Sequence, residues 1–358
     1  METKNPVCPD CEASANLDVN RREFLTTIST SAAAAATASL PLWATPRIQA
    51  APTRTSAAET AVKGLYEALT DEQKKKICFD WNHMDKKRGL LRTHVSNNWQ
   101  ITPHLIRSDF FTKKQQNIIH DIFKGIINPD WYAKFVKQLK DDTGGREWGA
   151  SQSIAIFGTP GTDQFEFVMT GRHMTLRADG NTEAHVAFGG PIFYGHQASR
   201  VKGLIEKDGH PGNVFWHQAL AANKVYQMLD AGQQQKALLA ESPHEPDVGF
   251  RQDKVYPGIR VAELADDQKK ELQKVLMMLV EPFRKEDREE ALECLKTQGG
   301  LDKCGLSFYK DEDLGNDRVW DNWRLEGPSF VWYFRGYPHV HVWVNVADDP
   351  AVKLNSQG

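Results

Sequence analysis

The sequence carries almost no net charge, no apolar run long enough to span a bilayer, and no signature loop of the common nucleotide-binding or serine-nucleophile enzymes. Its 44 basic and 47 acidic residues leave −3 over 358 positions. A chain without a basic excess lacks the electrostatic footprint of a nucleic-acid binder, so no nucleic-acid partner is expected. Stable membrane insertion of the processed chain is not expected either. A nucleophile elbow, a phosphate-binding glycine loop and a dinucleotide fingerprint are all missing. Cysteine is scarce, at five residues. Cys8 and Cys11 have Cys-x-x-Cys spacing but lie upstream of Arg21-Arg22 and would leave with the segment those arginines mark. Cys294 and Cys304 flank Gly299-Gly300 and could pair in an oxidising compartment, although a chain that folds before export cannot depend on that bond. Cys78 has no evident partner.

What is present begins with 40% hydrophobic and 25% charged residues, the balance of a globular protein. The length allows one large domain or two ordinary ones. Asn20-Arg21-Arg22-Glu23-Phe24-Leu25 precedes a weakly apolar run, 26–44, rich in Ala, Ser and Thr. Paired arginines, Phe-Leu and a mild apolar run in that order are the pattern of a twin-arginine export signal. A chance Arg-Arg before an alanine-rich helix is the alternative. The expectation is a signal over 1–50, cut after Ala50 (Ala44 as second choice), a partner in the export machinery and a periplasmic mature protein, with 51–358 a single α+β domain. This route carries chains already folded, often with a cofactor inserted, which raises the expectation of a bound metal or organic group.

The stretch 327–346 reads as two strands around a turn at Arg335 to Pro338, dense in aromatic and β-branched residues. In its second strand Val340, Val342, Val344 and Val346 point one way and His339, His341, Trp343 and Asn345 the other. The valine face needs an apolar cover, which places the hairpin inside a sheet. The two imidazoles, two residues apart, stand side by side. That spacing suits a metal, an anion or a plain half-polar sheet face.

Earlier in the chain a helix is predicted over 59–69. Thr70-Asp71-Glu72-Gln73 and Thr112-Lys113-Lys114-Gln115 have the form of capping boxes. A further helix runs over about 130–140, and the scattered His83, His94 and His104 between the boxes read as surface or hydrogen-bonded side chains. Strands begin near Ser153. Gly171-Arg172-His173 reads as a bulge or a close approach of backbones, and a turn at Asp179-Gly180-Asn181 as a hairpin returning through His185 to Phe188. Gly189 to Gly195 leads into a loop. Helical periodicity returns over 214–229 and from Glu263, and the chain is strand-like again from Leu306. Leu264-Ala265-Asp266-Asp267-Gln268-Lys269-Lys270 echoes 69–75, which reads as two good helix starts rather than an internal repeat. The fold class expected is α+β, with a largely antiparallel sheet built from two sequence-distant strand blocks, 153–190 and 305–346, packed with helices.

Four short elements, in order, resemble a bacterial family called domain of unknown function 3500. Its Gly-His-His-Leu-like element is similar to Gly171-Arg172-His173-Met174, and its Pro-x-Phe-Phe-Gly element to Pro191-Ile192-Phe193-Tyr194-Gly195. Its Arg-x-x-Gly-Pro element is similar to Arg324-Leu325-Glu326-Gly327-Pro328, and its closing His-x-His to His339-Val340-His341. The resemblance covers roughly 60–346. Arg172 stands where the first histidine of the family pair would be, and no carboxylate follows the Gly-Pro element. Pro338 replaces an asparagine, and the usual Arg-Asp tail is absent. The resemblance implies no established activity, but it does imply that His173, His339 and His341 belong to one site.

Two functions are therefore carried forward. One is a metal-dependent enzyme, hydrolytic or oxidative, in which the three imidazoles hold one transition-metal ion (zinc, copper or iron) with coordination positions left open. Glu326 is then the candidate base, or an acceptor that holds a ligand ring from behind, Arg172 the anion clamp and Tyr333 the proton donor. The other is an exported module that binds a small ligand or carbohydrate on an aromatic sheet face of Trp332, Tyr333, Tyr337 and Trp343, with the histidines structural.

Overall fold

Capping boxes set the helical register. In the computed structural model, which describes residues 51–197, 214–313, 317 and 319–352, Gln73 N donates to Thr70 Oγ1 at 3.2 Å and Thr70 N donates to Gln73 Oε1 at 2.9 Å. Thr112 and Gln115 do the same. Each such cap stabilises its helix by roughly 1 kcal/mol. The twin-arginine segment lies outside the described residues.

In chain order the first half holds α1 (Ala57–Ala68), α2 (Asp71–Ile77), β1 (Cys78–Phe79), a small hairpin of β2 (Met84–Asp85) and β3 (Gly89–Leu90), α3 (Lys113–Ile126) and α4 (Tyr132–Asp142). Four strands follow: β4 (Ser153–Gly158), β5 (Phe165–Gly171), β6 (Met174–Ala178) and β7 (Ile192–His196). The second half repeats the plan with α5 (Trp216–Met228), α6 (Ala231–Ala237), β8 (Leu238–Leu239), β9 (Ile259–Arg260), α7 (Asp266–Val280) and α8 (Lys285–Thr297). It closes with β10 (Gly305–Tyr309), β11 (Asn322–Gly327), β12 (Phe330–Arg335) and β13 (Val340–Val346).

The repetition extends to single hydrogen bonds. Gln73 and Gln115 join α2 to α3 by reciprocal amide bonds of 3.0 and 2.9 Å, and Gln233 and Gln268 join α6 to α7 by bonds of 3.1 and 2.8 Å. Gln115 also reaches the Ala68 carbonyl and Gln268 the Met228 carbonyl, both at 2.8 Å. Where the halves meet, Asn128 N donates to Pro282 O at 2.9 Å and Arg284 N to Ile126 O at 3.1 Å, one bond the counterpart of the other. The chain thus has an internal two-fold plan, which corrects the reading of its helix starts as unrelated. The true counterpart of 69–73 is 229–233, not 264–268. Two glutamines per half are too thin a signal to show this without the contacts.

The main sheet runs β1-β4-β5-β6-β7-β13-β12-β11-β10-β8, with β9 also on β10. β7 and β13 pair antiparallel at the centre, Ile192 opposite Val344. The α+β class holds, but the sheet is mixed and is not built from two strand blocks. β1 and β8 pair in parallel with β4 and β10, and together with β9 they come from segments outside both blocks. Short helices ending directly in two-residue strands bring β1 and β8 in, a connection that hydrophobic periodicity does not mark.

The helices cover one face. Their apolar sides join Ile154, Ile156, Phe167, Met169 and the four valines Val340, Val342, Val344 and Val346 in one core. Each valine is at most 2% exposed, and burial of each contributes on the order of 1.5–3 kcal/mol. The opposite face is covered by irregular chain. Leu91, Trp99 and Ile101 pack on Phe157 and Val168, while Val95 and Val248 pack on Phe193, Tyr333 and Trp343. One local expectation needs correcting. The segment after Asp179 does not return as a strand: His185 has φ 77°, a 3-10 turn occupies Ala187–Gly189, and the next strand is β7, where a loop was expected. Cys78, Cys294 and Cys304 are all unpaired. Among the described residues no helix is long and apolar enough to cross a membrane.

Candidate metal centre

Gly171 pairs with Met174, so Arg172 and His173 form a two-residue turn between β5 and β6 rather than a bulge, while the alternative, a close approach of backbones, is met by the bridge between Arg172 and Asn98. His173 takes φ 57° there, a left-handed conformation that is uncommon for a residue with a side chain. His173 N donates to Asn97 O at 2.8 Å, and Gln138 Nε2 donates to His173 O at 3.2 Å, which holds the turn. His341 lies in β13 and His339 just before it. Between the two sources stands β7, with Gly195 opposite His341 in the ladder and Tyr194 opposite Met174. His173 therefore sits two strands from His341, roughly 10 Å by strand spacing, and the rings meet over the one position in between that has no side chain.

They do meet. The Nε2 of His173 lies 3.0 Å from His339 Nε2 and 3.2 Å from His341 Nε2. Tetrahedral coordination with metal–nitrogen bonds of about 2.0–2.1 Å puts neighbouring nitrogens about 3.3–3.4 Å apart. Within the described residues this is the group of three ligand side chains close enough to share an ion.

Two carboxylates aim the rings from behind. Asp142, at the C-terminal end of α4, has Oδ2 2.7 Å from His173 Nδ1. Glu245, on the segment covering the opposite sheet face, bonds His341 Nδ1 and also accepts from Trp343 Nε1 at 3.2 Å. Burial raises the Asp142 carboxyl, but the hydrogen bonds and charges of His173 and His196 outweigh it and leave it below the usual carboxylate range. Burial acts likewise on Glu245 and is likewise outweighed, by His341 and Arg335, which bring it down to about 2. An ionised acceptor at Nδ1 keeps the ring proton there, so both Nε2 atoms present lone pairs. Burial lowers His173 to about 4 against the opposing pull of Asp142. It lowers His339 to about 3, with the charges of His341 and His173 adding to it. The three rings thus turn their Nε2 atoms toward one point, His173 and His339 as uncharged imidazoles. A proton on His339 Nε2 could serve only one of its two neighbours, whereas a cation serves all three. The donor set fits a nitrogen-liking transition ion.

The remaining sequence candidates lie as follows. Arg172 adjoins His173 and its Nη2 donates to Gln197 Oε1 at 2.5 Å. Glu326 is in β11, where Oε1 accepts from Arg324 at 2.8 Å and Arg251 at 2.9 Å. Its register through Val331 to Asn345 puts it on the order of 15 Å from His341 by strand geometry. Tyr333 is buried, its hydroxyl donating to Pro243 O at 3.1 Å, and burial pushes its phenol pKa up. Trp332, Tyr333 and Trp343 are core side chains, at most 2% exposed, Trp332 in the core under the helices and the other two in the cluster on the opposite face; Tyr337 is half-buried.

Sequence reasoning missed Asp142 and Glu245, as well as His196, a buried imidazole whose Nδ1 is 3.3 Å from Asp142 Oδ1. Asp142 closes an ordinary charged helix and Glu245 sits in a loop. They stand 31 and 96 residues from the histidines they hold, and no spacing rule reaches that far.

A family model described as a protein of unknown function (DUF3500) matches residues 51–343. No curated protein and no solved structure matches the chain.

Proposed function

Because the chain belongs to the DUF3500 family, whose function is unknown, we propose a function from its own residues: a metal-dependent protein of the exported compartment. His173, His339 and His341 hold one transition-metal ion through Nε2. The observation that carries this reading is the convergence of the three Nε2 atoms, with carboxylates on the far nitrogens of two of the rings. Asp142 and Glu245 fix the tautomers and ring angles, and their negative charge matches that of a divalent ion. The buried His173 and His341 close one side, while the half-exposed His339 leaves the other open to a small molecule. Such an ion supplies Lewis-acid or redox chemistry at the positions the protein leaves free. In the sequence, Arg21-Arg22 followed by Phe24-Leu25 and a weakly apolar run supports placing this activity outside the cytoplasm.

The test is the metal content of mature protein purified without a histidine tag. About one zinc, copper or iron per chain is expected, falling to near zero in His341→Ala, with the far-ultraviolet circular dichroism retained. Protein that carries no metal and takes up none of the three when offered would end the metal reading.

A further inference from the structure

Arg172 adjoins His173, and among the described residues no carboxylate pairs with it. Arg335, the other arginine nearby, is held by Glu245 at 2.7 Å and by Glu312 at 2.9 Å. Among the described residues Arg172 forms no ion pair, and its recorded side-chain bond goes to the neutral Gln197 amide. Its buried Nε has no acceptor among the described residues. The charge is near enough to lower the protonation of both His173 and His339. With a divalent ion matched by Asp142 and Glu245, Arg172 leaves the site with one positive charge to spare.

A cavity of about 440 Å³ lies against this arginine, within the size range of small-molecule sites. Its walls bring a second guanidinium, Arg146, and the neutral polar side chains Asn98, Gln100, Thr143 and Ser151. Arg146 is exposed and forms no recorded ion pair among the described residues. Asp142 also borders the cavity, but its carboxylate is fully buried, with Oδ2 committed to His173 and Oδ1 to the Gln197 amide N–H at 2.8 Å. The charged groups left to a guest are therefore two guanidiniums, beside neutral amides and hydroxyls that can donate or accept. An arginine fork suits the paired oxygens of a carboxylate or phosphate.

We propose that Arg172 and Arg146 form an oxyanion subsite beside the histidine centre, and that the small molecule the protein takes carries a carboxylate or phosphate group. The part concerning the reacting end of that molecule rests on the metal reading; the anion subsite itself does not.

The experiment keeps the two apart. Inorganic phosphate and succinate are titrated by calorimetry into chelator-stripped and metal-loaded protein, as wild type, Arg172→Gln and Arg172→Lys. Wild type should bind at least one probe with the metal removed. Arg172→Gln should weaken that binding at least tenfold, and Arg172→Lys, which keeps the charge but not the fork, by less. The tighter probe assigns the group as phosphate or carboxylate. Binding to neither probe, equal affinity in Arg172→Gln, or binding seen only with metal and indifferent to Arg172 would each overturn the proposal. Metal content, measured separately, judges the metal reading whatever the anion result.

Discussion

Gly195 faces His341 across the central ladder, and a β-carbon on it would lie 3.4 Å from His341 Cδ2 and 2.4 Å from the Val340 carbonyl oxygen. The glycine is thus the gap through which the imidazole of His341 leans toward that of His173. Gly195→Ala should move β13 and turn the His341 ring away. A loss of roughly 1–3 kcal/mol of stability is expected from overpacking, together with weaker metal uptake. Urea unfolding and a metal titration on the same sample check both; a variant matching wild type in metal affinity would show that the gap is not needed.

Asp142→Asn keeps the side-chain size but removes the ionised acceptor at His173 Nδ1. Loss of such an outer partner typically costs about 10–100-fold in metal affinity. Competition against a chromophoric chelator measures it. Unchanged affinity would mean that Asp142 serves the fold and not the centre.

The metal-free protein should lose stability in mild acid. His173 and His339 titrate near 4 and 3 in the folded chain but near 6.5 when unfolded. Between those values the unfolded state binds more protons, so stability is fully present above about 6.5 and falls as the pH drops toward 4. Glu245, depressed to about 2, adds a further loss only below its unfolded value. Because burial pushes Glu166, Asp179, Asp287 and Glu290 up and they act with the opposite sign, the urea midpoint of chelated protein is compared with that of His339→Gln, which shares them; wild type should lose more stability between pH 6.5 and 4 than the variant does. An identical pH profile in the two would contradict the assignment of His339.

Export should depend on the paired arginines. Replacing Arg21 and Arg22 by lysine is expected to leave unprocessed precursor in the cytoplasm, read by fractionation and immunoblot. Normal processing of that variant would rule out the twin-arginine route.

Local chemistry was legible in the residues. Thr70, Gln73, Thr112 and Gln115 specify helix starts because a capping box closes within four residues. The valines of 340–346 specify a covered sheet face because strand alternation has period two. The pairing of His339 with His341 follows from the same rule, and the four family elements brought His173 to them. What no local pattern carries is which distant strand lies beside which. Only the tertiary structure puts β7 between β6 and β13, so that His173 from the first half and His339 and His341 from the second meet over Gly195. It alone brings Asp142 and Glu245 behind the rings from a helix end and a loop, and it alone reveals that the two halves share one plan. Those relations are made by backbone ladders and buried hydrogen bonds between residues tens to hundreds of positions apart, and such bonds leave no period in a sequence.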